Sequence, residues 1–290
     1  MHFIARTSVS GVVEREFQLG EITGVMWSPE SHSEGAPLIL LGHSGGMHKK
    51  APNLVTMARH FATESGYRVA AIDAPGHGDR PRNAEDQRWA EALHVARAAG
   101  EPMDSMIADY NTSLAERAVP EWQATLNALQ ALPEIGPDAP IGYGGITLGT
   151  VIGMWLTAVE PRIQAATFNS VFVFDALFHI ACKFTVPLTF QVAWNDEEID
   201  RRPSFRLVRG LRLGGQDAAG HTRSAQPDVQ DAARFRGRVP ATPPGPVNEK
   251  TARRWRTDGV GGGSNHFPLQ RISHPGACHK TPVMPQNRSP

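Results

Sequence analysis

A hydroxyl side chain stands between two glycines in the segment Gly145-Ile-Thr-Leu-Gly149, a spacing that could present a nucleophile. The segment follows a short apolar run that ends at Ile141, and it leads into the helix-like run Val151 to Val159. A strand-to-helix turn of the form G-x-S-x-G, called a nucleophile elbow, carries its central hydroxyl above the end of a sheet. Side chains in place of the flanking glycines would collide with the neighbouring strand and helix. The segment therefore predicts such an elbow with Thr147 as its hydroxyl.

Apolar runs and helix-like segments alternate along the first two thirds of the chain. Strand-like runs at 37–41 and 67–72 enclose the amphipathic helix Pro52 to Glu64, and further strand-like runs follow at 163–174 and 187–193. The repeated order of strand, turn, helix and strand predicts a mostly parallel, twisted sheet flanked by crossover helices. The predicted fold class is therefore α/β.

Two further segments are expected to extend this architecture. The runs Val12–Leu19 and Ile22–Trp27 flank Gly20-Glu21 and predict an N-terminal antiparallel hairpin at an edge of the sheet. Residues 80–132 have a helical pattern, for which two interpretations stay open. Ordinary crossover helices are favoured, and a helical cap over a pocket is the alternative.

The last part of the chain differs in composition from the rest. Residues 206–290 are crowded with Arg, Gly, Pro and His, and Glu249 is their only glutamate. The segments 242–246 and 259–264, rich in proline and glycine, are hostile to regular structure. We expect no clear strand or amphipathic helix beyond Phe205. The chain is therefore divided into a core, residues 1–205, and a largely disordered tail, residues 206–290.

The order of motifs resembles the α/β-hydrolase family, in particular bacterial esterases, lipases and dienelactone hydrolase-like members. Strands are followed by Gly42-His-Ser-Gly-Gly46, then Asp73-Ala-Pro-Gly-His-Gly78, then the Thr147 segment, and finally Ala193-Trp-Asn-Asp196. The resemblance covers roughly residues 12–205, and its specificity comes from the order of the four motifs. It implies an α/β-hydrolase fold and an enzyme that hydrolyses a carboxylic ester or similar acyl bond through a nucleophile, a histidine and an aspartate.

The resemblance implies a role for each member of this catalytic group. Thr147 stands where the family has its nucleophile, and Asp196 stands where the family has the acid that orients the catalytic histidine. His221 lies at a plausible distance beyond Asp196 and is the predicted base, although residues 207–216 make a poor buried strand before it. With suitable codons, Val208 to Ala218 can be back-translated and read one base later as FEAFASEDKTL. A frameshift near Phe205 that replaced the family's final histidine segment is therefore a second hypothesis.

The glycine-rich segment Gly42–Gly46 has two interpretations. It also fits G-x-S-x-G, so Ser44 is an alternative nucleophile. Its place after an early strand matches the family's oxyanion loop, and this role is favoured. In that role the His43 turn contacts the substrate through the N–H of Ser44 or Gly45, and the N–H of Leu148 is the other oxyanion donor. The rings of His43 and His77 are expected to bond nearby backbone and not to act as bases.

A threonine at the nucleophile position favours low activity. A β-branched residue tolerates the strained backbone of an elbow poorly, at a cost on the order of 1–3 kcal/mol. Its hydroxyl is also secondary and more crowded than that of serine. The alternative function is therefore a catalytically impaired or non-catalytic α/β-hydrolase-fold protein that binds a small molecule or a partner.

The composition of the chain argues against several other classes of protein. The chain has 29 Lys and Arg against 29 Asp and Glu, and a formal net charge of zero argues against an electrostatic nucleic-acid binder. Cys182 and Cys278 fit no metal-ligand spacing, and there is no phosphate-binding glycine loop, so no cofactor or metal is expected. No apolar run reaches the roughly 20 residues of a membrane span. Met1–Arg6 does not begin a signal peptide, and we expect a cytoplasmic protein that acts on a small acyl substrate.

Overall fold

A computed structural model describes residues 1–31, 35–193, 196, 199–213 and 269–272. Nine strands lie within these residues: β1 (His2–Val9), β2 (Val12–Leu19), β3 (Ile22–Pro29), β4 (Leu38–Gly42), β5 (Arg68–Ile72), β6 (Ile141–Ile146), β7 (Ile163–Asn169), β8 (Leu188–Gln191) and β9 (Leu269–Ile272). The described helices are α1 (Pro52–Ser65), α2 (Ala84–Ala99), α3 (Asp104–Gln130), α4 (Leu148–Val159), α5 (Asp175–Ala181) and α6 (Arg201–Leu213).

The described strands form one mixed sheet in the order β1-β2-β3-β5-β4-β6-β7-β8-β9. The five strands from β5 to β8 in this order are parallel to one another. The strands β1, β2 and β3 are antiparallel, β3 is antiparallel to β5, and β9 is antiparallel to β8. The predicted α/β class, with a mostly parallel sheet and an N-terminal hairpin, is confirmed.

The hairpin of β2 and β3 has the predicted pairing, but it is not the outermost part of the sheet. The strand β1, which the sequence did not predict, pairs with β2 and lies at the edge. All its residues are exposed, so it shows no alternation of buried and solvated side chains. Its Phe3 ring packs under the Arg15 guanidinium, whose Cζ lies 4.4 Å from the ring centroid.

Two hydrophobic cores lie on opposite faces of the sheet. The larger core packs α3 and α4 against one face, and its largest members are aromatic: Trp122, Tyr143, Phe168 and Phe190. The smaller core packs α1 against the other face around Trp27, Leu41, Leu54 and Phe61. Burying each such side chain stabilises the fold by roughly 1.5–3 kcal/mol. Together these cores fix the ends of the parallel strands, where the polar turns lie.

Two helices, α2 and α3, lie between β5 and β6. The inner face of α3 is buried in the larger core, a position typical of a crossover helix. The helix α2 lies on α3, where the Asp86 carboxylate accepts a hydrogen bond from Arg117 at 2.6 Å. The rings of Trp89 and Tyr110 stack with their centroids 5.9 Å apart.

The expectation that no helix extends beyond Phe205 is wrong for residues 206–213. The helix α6 runs through this stretch to Leu213, and Leu207 and Val208 are buried in the larger core. The arginines around them lower the apparent hydrophobicity of the segment, which explains why its pattern was missed. β9 also comes from the predicted tail, whereas residues 214–268 and 273–290 lie outside the described part of the chain.

Candidate active site

Thr147 lies at the turn between β6 and α4, in an uncommon backbone conformation. Its φ is 48° and its ψ is −104°, a region that a β-branched residue adopts only when its surroundings impose it. The Thr147 N–H donates to the Asn169 carbonyl oxygen at 3.0 Å, and the Thr147 carbonyl accepts from the N–H of Val151 at 3.1 Å. The turn (residues 145–149, here the Thr147 turn) is thus held by the adjacent strand β7 and by the first turn of α4.

The two glycines of the Thr147 turn are required by close backbone contacts. A Cβ on Gly145 would lie 2.3 Å from the Gly149 carbonyl oxygen, and a Cβ on Gly149 would lie 2.3 Å from the backbone of Gly42. Side-chain movement cannot relieve either contact, because the obstructing atoms are main-chain atoms. This agrees with the steric reason given from the sequence for glycine at both positions.

Thr150 braces the Thr147 turn from inside the protein. Its fully buried hydroxyl lies 2.9 Å from the Gly145 carbonyl oxygen and accepts the Asn169 N–H at 3.0 Å. One side chain therefore connects the end of β6 to the end of β7. Sequence reasoning missed this residue, although a lone hydroxyl in the first turn of an apolar helix was a usable signal.

The loop after β4 (residues 43–51, the β4 loop) meets the Thr147 turn. The Gly45 N–H donates to Thr147 Oγ1 at 3.3 Å, and the Gly149 N–H donates to the His43 carbonyl oxygen at 2.9 Å. Leu148 is the first residue of α4, and its Cβ lies 3.8 Å from the position that a Cβ on Gly45 would take. The structure thus brings together three predicted site residues: Thr147, Gly45 and Leu148.

Ser44 differs from Thr147 in its surroundings. It lies in the β4 loop and not at a strand-to-helix turn, and its backbone is outside the positive-φ region that Thr147 occupies. The Ser44 carbonyl oxygen accepts the Met47 N–H at 3.1 Å, which closes a tight turn with Gly45 and Gly46 at its tip. This position favours the oxyanion-loop interpretation of the segment over Ser44 as nucleophile.

His43 is buried behind the β4 loop, and both of its ring nitrogens bond backbone groups. The N–H of Ala74 donates to Nε2 at 3.0 Å, so Nδ1 carries the proton and donates to the Ser44 carbonyl oxygen at 2.8 Å. Burial, with the neighbouring His77, lowers the pKa of His43 to about 4. The ring holds the loop by bonding nearby backbone groups, as the sequence predicted. His77 likewise bonds the Pro75 carbonyl oxygen at 2.9 Å.

The buried His43 should make stability depend on pH. Its pKa is about 4 in the folded protein against an ordinary 6.5, so between these pH values the unfolded chain binds a proton that the folded protein does not. The stability contribution is therefore present above pH 6.5 and is lost as the pH falls toward 4. We expect the free energy of unfolding by urea to fall between pH 7 and pH 5 by about 2 kcal/mol more for wild type than for His43→Asn.

The matched control is His60→Asn, which replaces an exposed histidine on α1. It should keep the pH dependence of the wild type. Equal pH dependence in His43→Asn and wild type would show that the buried ring is not the titrating group.

Of the predicted acid and base, only Asp196 lies within the described residues. Asp196 is exposed beyond the end of β8, where its Oδ1 accepts the Ile199 N–H at 3.0 Å, and none of the described hydrogen bonds joins it to Thr147. His221 lies outside the described residues. Within them, the one hydrogen bond of Thr147 Oγ1 is the bond from Gly45.

An open cavity of about 410 Å³ adjoins the β4 loop. Its lining begins at Gly46 and Met47 and continues across His77, Arg82 and Gln87. Gln87 belongs to α2, so this helix borders the cavity. The cavity reaches Gly46, the residue after Gly45, and its lining includes neither Gly45 nor Thr147.

Two other kinds of feature are absent from the described part of the chain. Among these residues, no group of three or more His, Cys, Asp or Glu side chains is placed to hold a metal ion. None of the described helices combines the length and apolarity that crossing a bilayer requires.

Solved structures with a similar fold are esterases and related hydrolases. A cold-adapted esterase from an Arctic intertidal metagenomic library, solved with bound polyethylene glycol, is 27% identical with a TM-score of 0.56. The match covers 73% of this chain and 85% of that one. A dienelactone hydrolase-like promiscuous phosphotriesterase, P91, is 15% identical with a TM-score of 0.50 over 70% of this chain and 78% of that one, which shows the fold alone.

Sequence comparison gives a shorter match. The Bacillus subtilis (strain 168) protein YtaP, whose hydrolase activity is itself only inferred, is 27% identical over 146 residues, which is 47% of this chain and 44% of that protein. The match thus spans less than half the length of this relative. No protein-family model matches the chain. The esterase and YtaP, each 27% identical, support hydrolase activity in general. The chain has the α/β-hydrolase fold of esterases and dienelactone hydrolase-like proteins.

Proposed function

We propose that the protein hydrolyses a carboxylic ester or similar acyl bond, with Thr147 as the nucleophile. The observation that carries this proposal is the hydrogen bond from the Gly45 N–H to Thr147 Oγ1, at 3.3 Å, across a strained strand-to-helix turn. A hydroxyl held in this way lies beside a main-chain donor and the start of a helix, where a carbonyl oxygen could be bound. The esterase similar in fold supports the same class of reaction.

In the proposed reaction, Thr147 Oγ1 attacks the carbonyl carbon of the ester while its proton passes to a histidine. The carbonyl oxygen becomes negatively charged and accepts hydrogen bonds from the N–H groups of Leu148 and Gly45. The Gly45 N–H must therefore leave the threonine hydroxyl, which it contacts in the resting site, and turn to the substrate. The alcohol departs with the histidine's proton, and water then releases the acid from the acyl-threonine.

His221 is the proposed base, and Asp196 is proposed to orient it. Asp196 follows β8 at the same end of the sheet as the Thr147 turn, since both follow the carboxyl ends of parallel strands. The charge of this carboxylate would stabilise the imidazolium that forms when Thr147 loses its proton.

A non-catalytic binding protein is the second candidate. The strained, β-branched Thr147 and the exposed Asp196 favour it, because both lower the reactivity expected of the group. In this case the cavity beside Gly46 would bind a small molecule or a partner without turning it over.

The release of nitrophenol from short-chain nitrophenyl esters tests the proposal. His221→Ala should lower kcat/KM by at least about 100-fold, the usual contribution of a general base. His179→Ala, which changes an exposed histidine on α5, should leave it unchanged. If Ser44→Ala instead loses turnover because its kcat falls, Ser44 is the nucleophile. If the folded wild-type protein hydrolyses no ester, the non-catalytic binding function is favoured.

A further inference from the structure

The β4 loop is attached at both ends to the loop after β5 (residues 73–83, the β5 loop). At its start, the His43 ring accepts the Ala74 N–H at 3.0 Å. At its end, the Lys49 N–H donates to Asp73 Oδ1 at 2.8 Å. The residues between these attachments, including Gly45, are exposed or half-buried and have little packing of their own. Apart from the loop's bonds to the Thr147 turn, the position of the Gly45 amide therefore depends on these two attachments.

The Lys49 attachment is a buried group of charges. The Lys49 ammonium donates to Asp73 Oδ2 at 2.7 Å and also contacts the carboxylate of Asp79, which is 70% exposed. Thr23 Oγ1 on β3 donates to Asp73 Oδ2 at 2.7 Å, and the Asp79 N–H donates to the same oxygen at 3.2 Å. Asp73, at the centre, has no exposed surface. We call Lys49, Asp73 and Asp79 the Lys49 cluster.

The side chain of Lys49 supplies the positive charge that pairs with the buried Asp73 carboxylate. Burial alone raises the pKa of Asp73, but the hydrogen bonds from the Lys49 amide and ammonium outweigh it, and the pKa is lowered. The carboxylate is therefore charged, and without the ammonium it would be a buried charge lacking its counter-ion. Because the ammonium also reaches Asp79, it ties the two ends of the segment 73–79 to the β4 loop.

The fit around Asp73 leaves little room for adjustment. A Cβ on Gly78, whose φ is +59°, would lie between 2.2 and 2.5 Å from the Asp73 carboxylate atoms. A carboxylate that lost its partner could not move toward Gly78 without a clash.

We propose that Lys49 is a positioning residue for the reaction, acting through the Lys49 cluster to hold the Gly45 amide where the oxyanion forms. This inference rests on the proposed function. Lys49 itself does not touch the reacting atoms. Its removal would let the β4 loop shift, and a displacement of about 1 Å in a catalytic group can cost on the order of 100-fold in rate.

The test compares Lys49→Met with Lys50→Met. Both variants remove one charge from adjacent lysines, but the Lys50 ammonium pairs with Glu14 and Glu16 on β2 and not with the β5 loop. We expect Lys49→Met to lower kcat for a nitrophenyl ester on the order of 10- to 100-fold, with KM within about twofold. Lys50→Met should stay within about twofold of wild type in both constants, and Lys49→Arg, which keeps the charge, should recover part of the loss.

A second substrate separates positioning from a general loss of folded protein. In a thionoester, sulfur replaces the carbonyl oxygen and accepts hydrogen bonds weakly, so a misplaced amide should slow the ester much more than its thiono counterpart. Equal losses for both substrates in Lys49→Met would overturn the proposal. If Lys49→Met does not fold, Asp79→Asn serves instead, because it weakens the cluster at its exposed end and keeps the pair of Lys49 with Asp73.

Amide hydrogen exchange of residues 43–48 gives a readout that does not need turnover. It should be faster in Lys49→Met than in Lys50→Met. If wild type hydrolyses no ester, the proposed function fails while the exchange result still decides the role of Lys49. Equal exchange in the two variants contradicts the positioning role, whatever the activity.

Discussion

Thr147→Val is expected to abolish ester hydrolysis, lowering kcat/KM by at least about 1,000-fold, or about 4 kcal/mol of transition-state stabilisation. Valine keeps the shape and the β-branch of threonine, so the strained turn at φ 48° and its contacts with α4 should persist. What is lost is the hydroxyl that accepts the Gly45 N–H. Nitrophenol release measures the activity, and circular dichroism checks that the variant is folded.

The paired variant is Thr147→Ser, which keeps the hydroxyl and removes the β-branch. Since the branch costs on the order of 1–3 kcal/mol in this backbone region, the serine variant should be at least as active as wild type and more stable. Activity that survives in Thr147→Val would remove Thr147 from the mechanism. Activity lost equally in both variants would mean that the turn, and not the hydroxyl, is what matters.

Gly149→Ala is expected to be among the most destabilising single changes in the chain, at about 3 kcal/mol or more. The new Cβ would lie 2.3 Å from the carbonyl carbon and oxygen of Gly42, where β4 ends. Separating these atoms would also stretch the hydrogen bond from the Gly149 N–H to the His43 carbonyl, so the Thr147 turn and the β4 loop would part. Urea unfolding measures the loss.

Gly144→Ala is the matched control, because its Cβ would meet only the flexible end of Leu41, at 3.0 Å. It should cost less than half as much as Gly149→Ala. Similar losses in the two variants would show that the contact between the Thr147 turn and β4 is looser than the structure has it.

The elements around the Thr147 turn could be predicted because their signals are local. Apolar runs mark the buried parallel strands, and glycines mark the places where β4, β6 and α4 approach closely. The order of these signals was enough for the fold class and for the hairpin of β2 and β3. The proximity of Gly45 and Thr147 could also be predicted, because both residues follow the carboxyl ends of adjacent parallel strands.

Other features depend on contacts between distant residues that no local pattern reveals. Strand β1 has no buried face, so nothing in its sequence distinguishes it from a loop. From the sequence alone, Lys49 looks like a solvent-exposed charge, because its partner Asp73 is brought beside it only by the fold. Helix α6 buries Leu207 and Val208 among arginines, and its packing against the core decides its structure. The predicted division of the chain at 205 falls inside α6, and the role of His221 is a proposal.

Covalent labelling of the nucleophile tests the central claim most directly. A nitrophenyl phosphonate reacts with an activated hydroxyl, which displaces nitrophenolate and forms a bond to phosphorus. Trypsin then separates the two candidates, because Thr147 lies in the peptide 118–162 and Ser44 in the peptide 16–49. Mass spectrometry should find the phosphonate on Thr147, in step with loss of ester turnover. A phosphonate on Ser44, or full inactivation without modification of the peptide 118–162, would contradict Thr147 as the nucleophile.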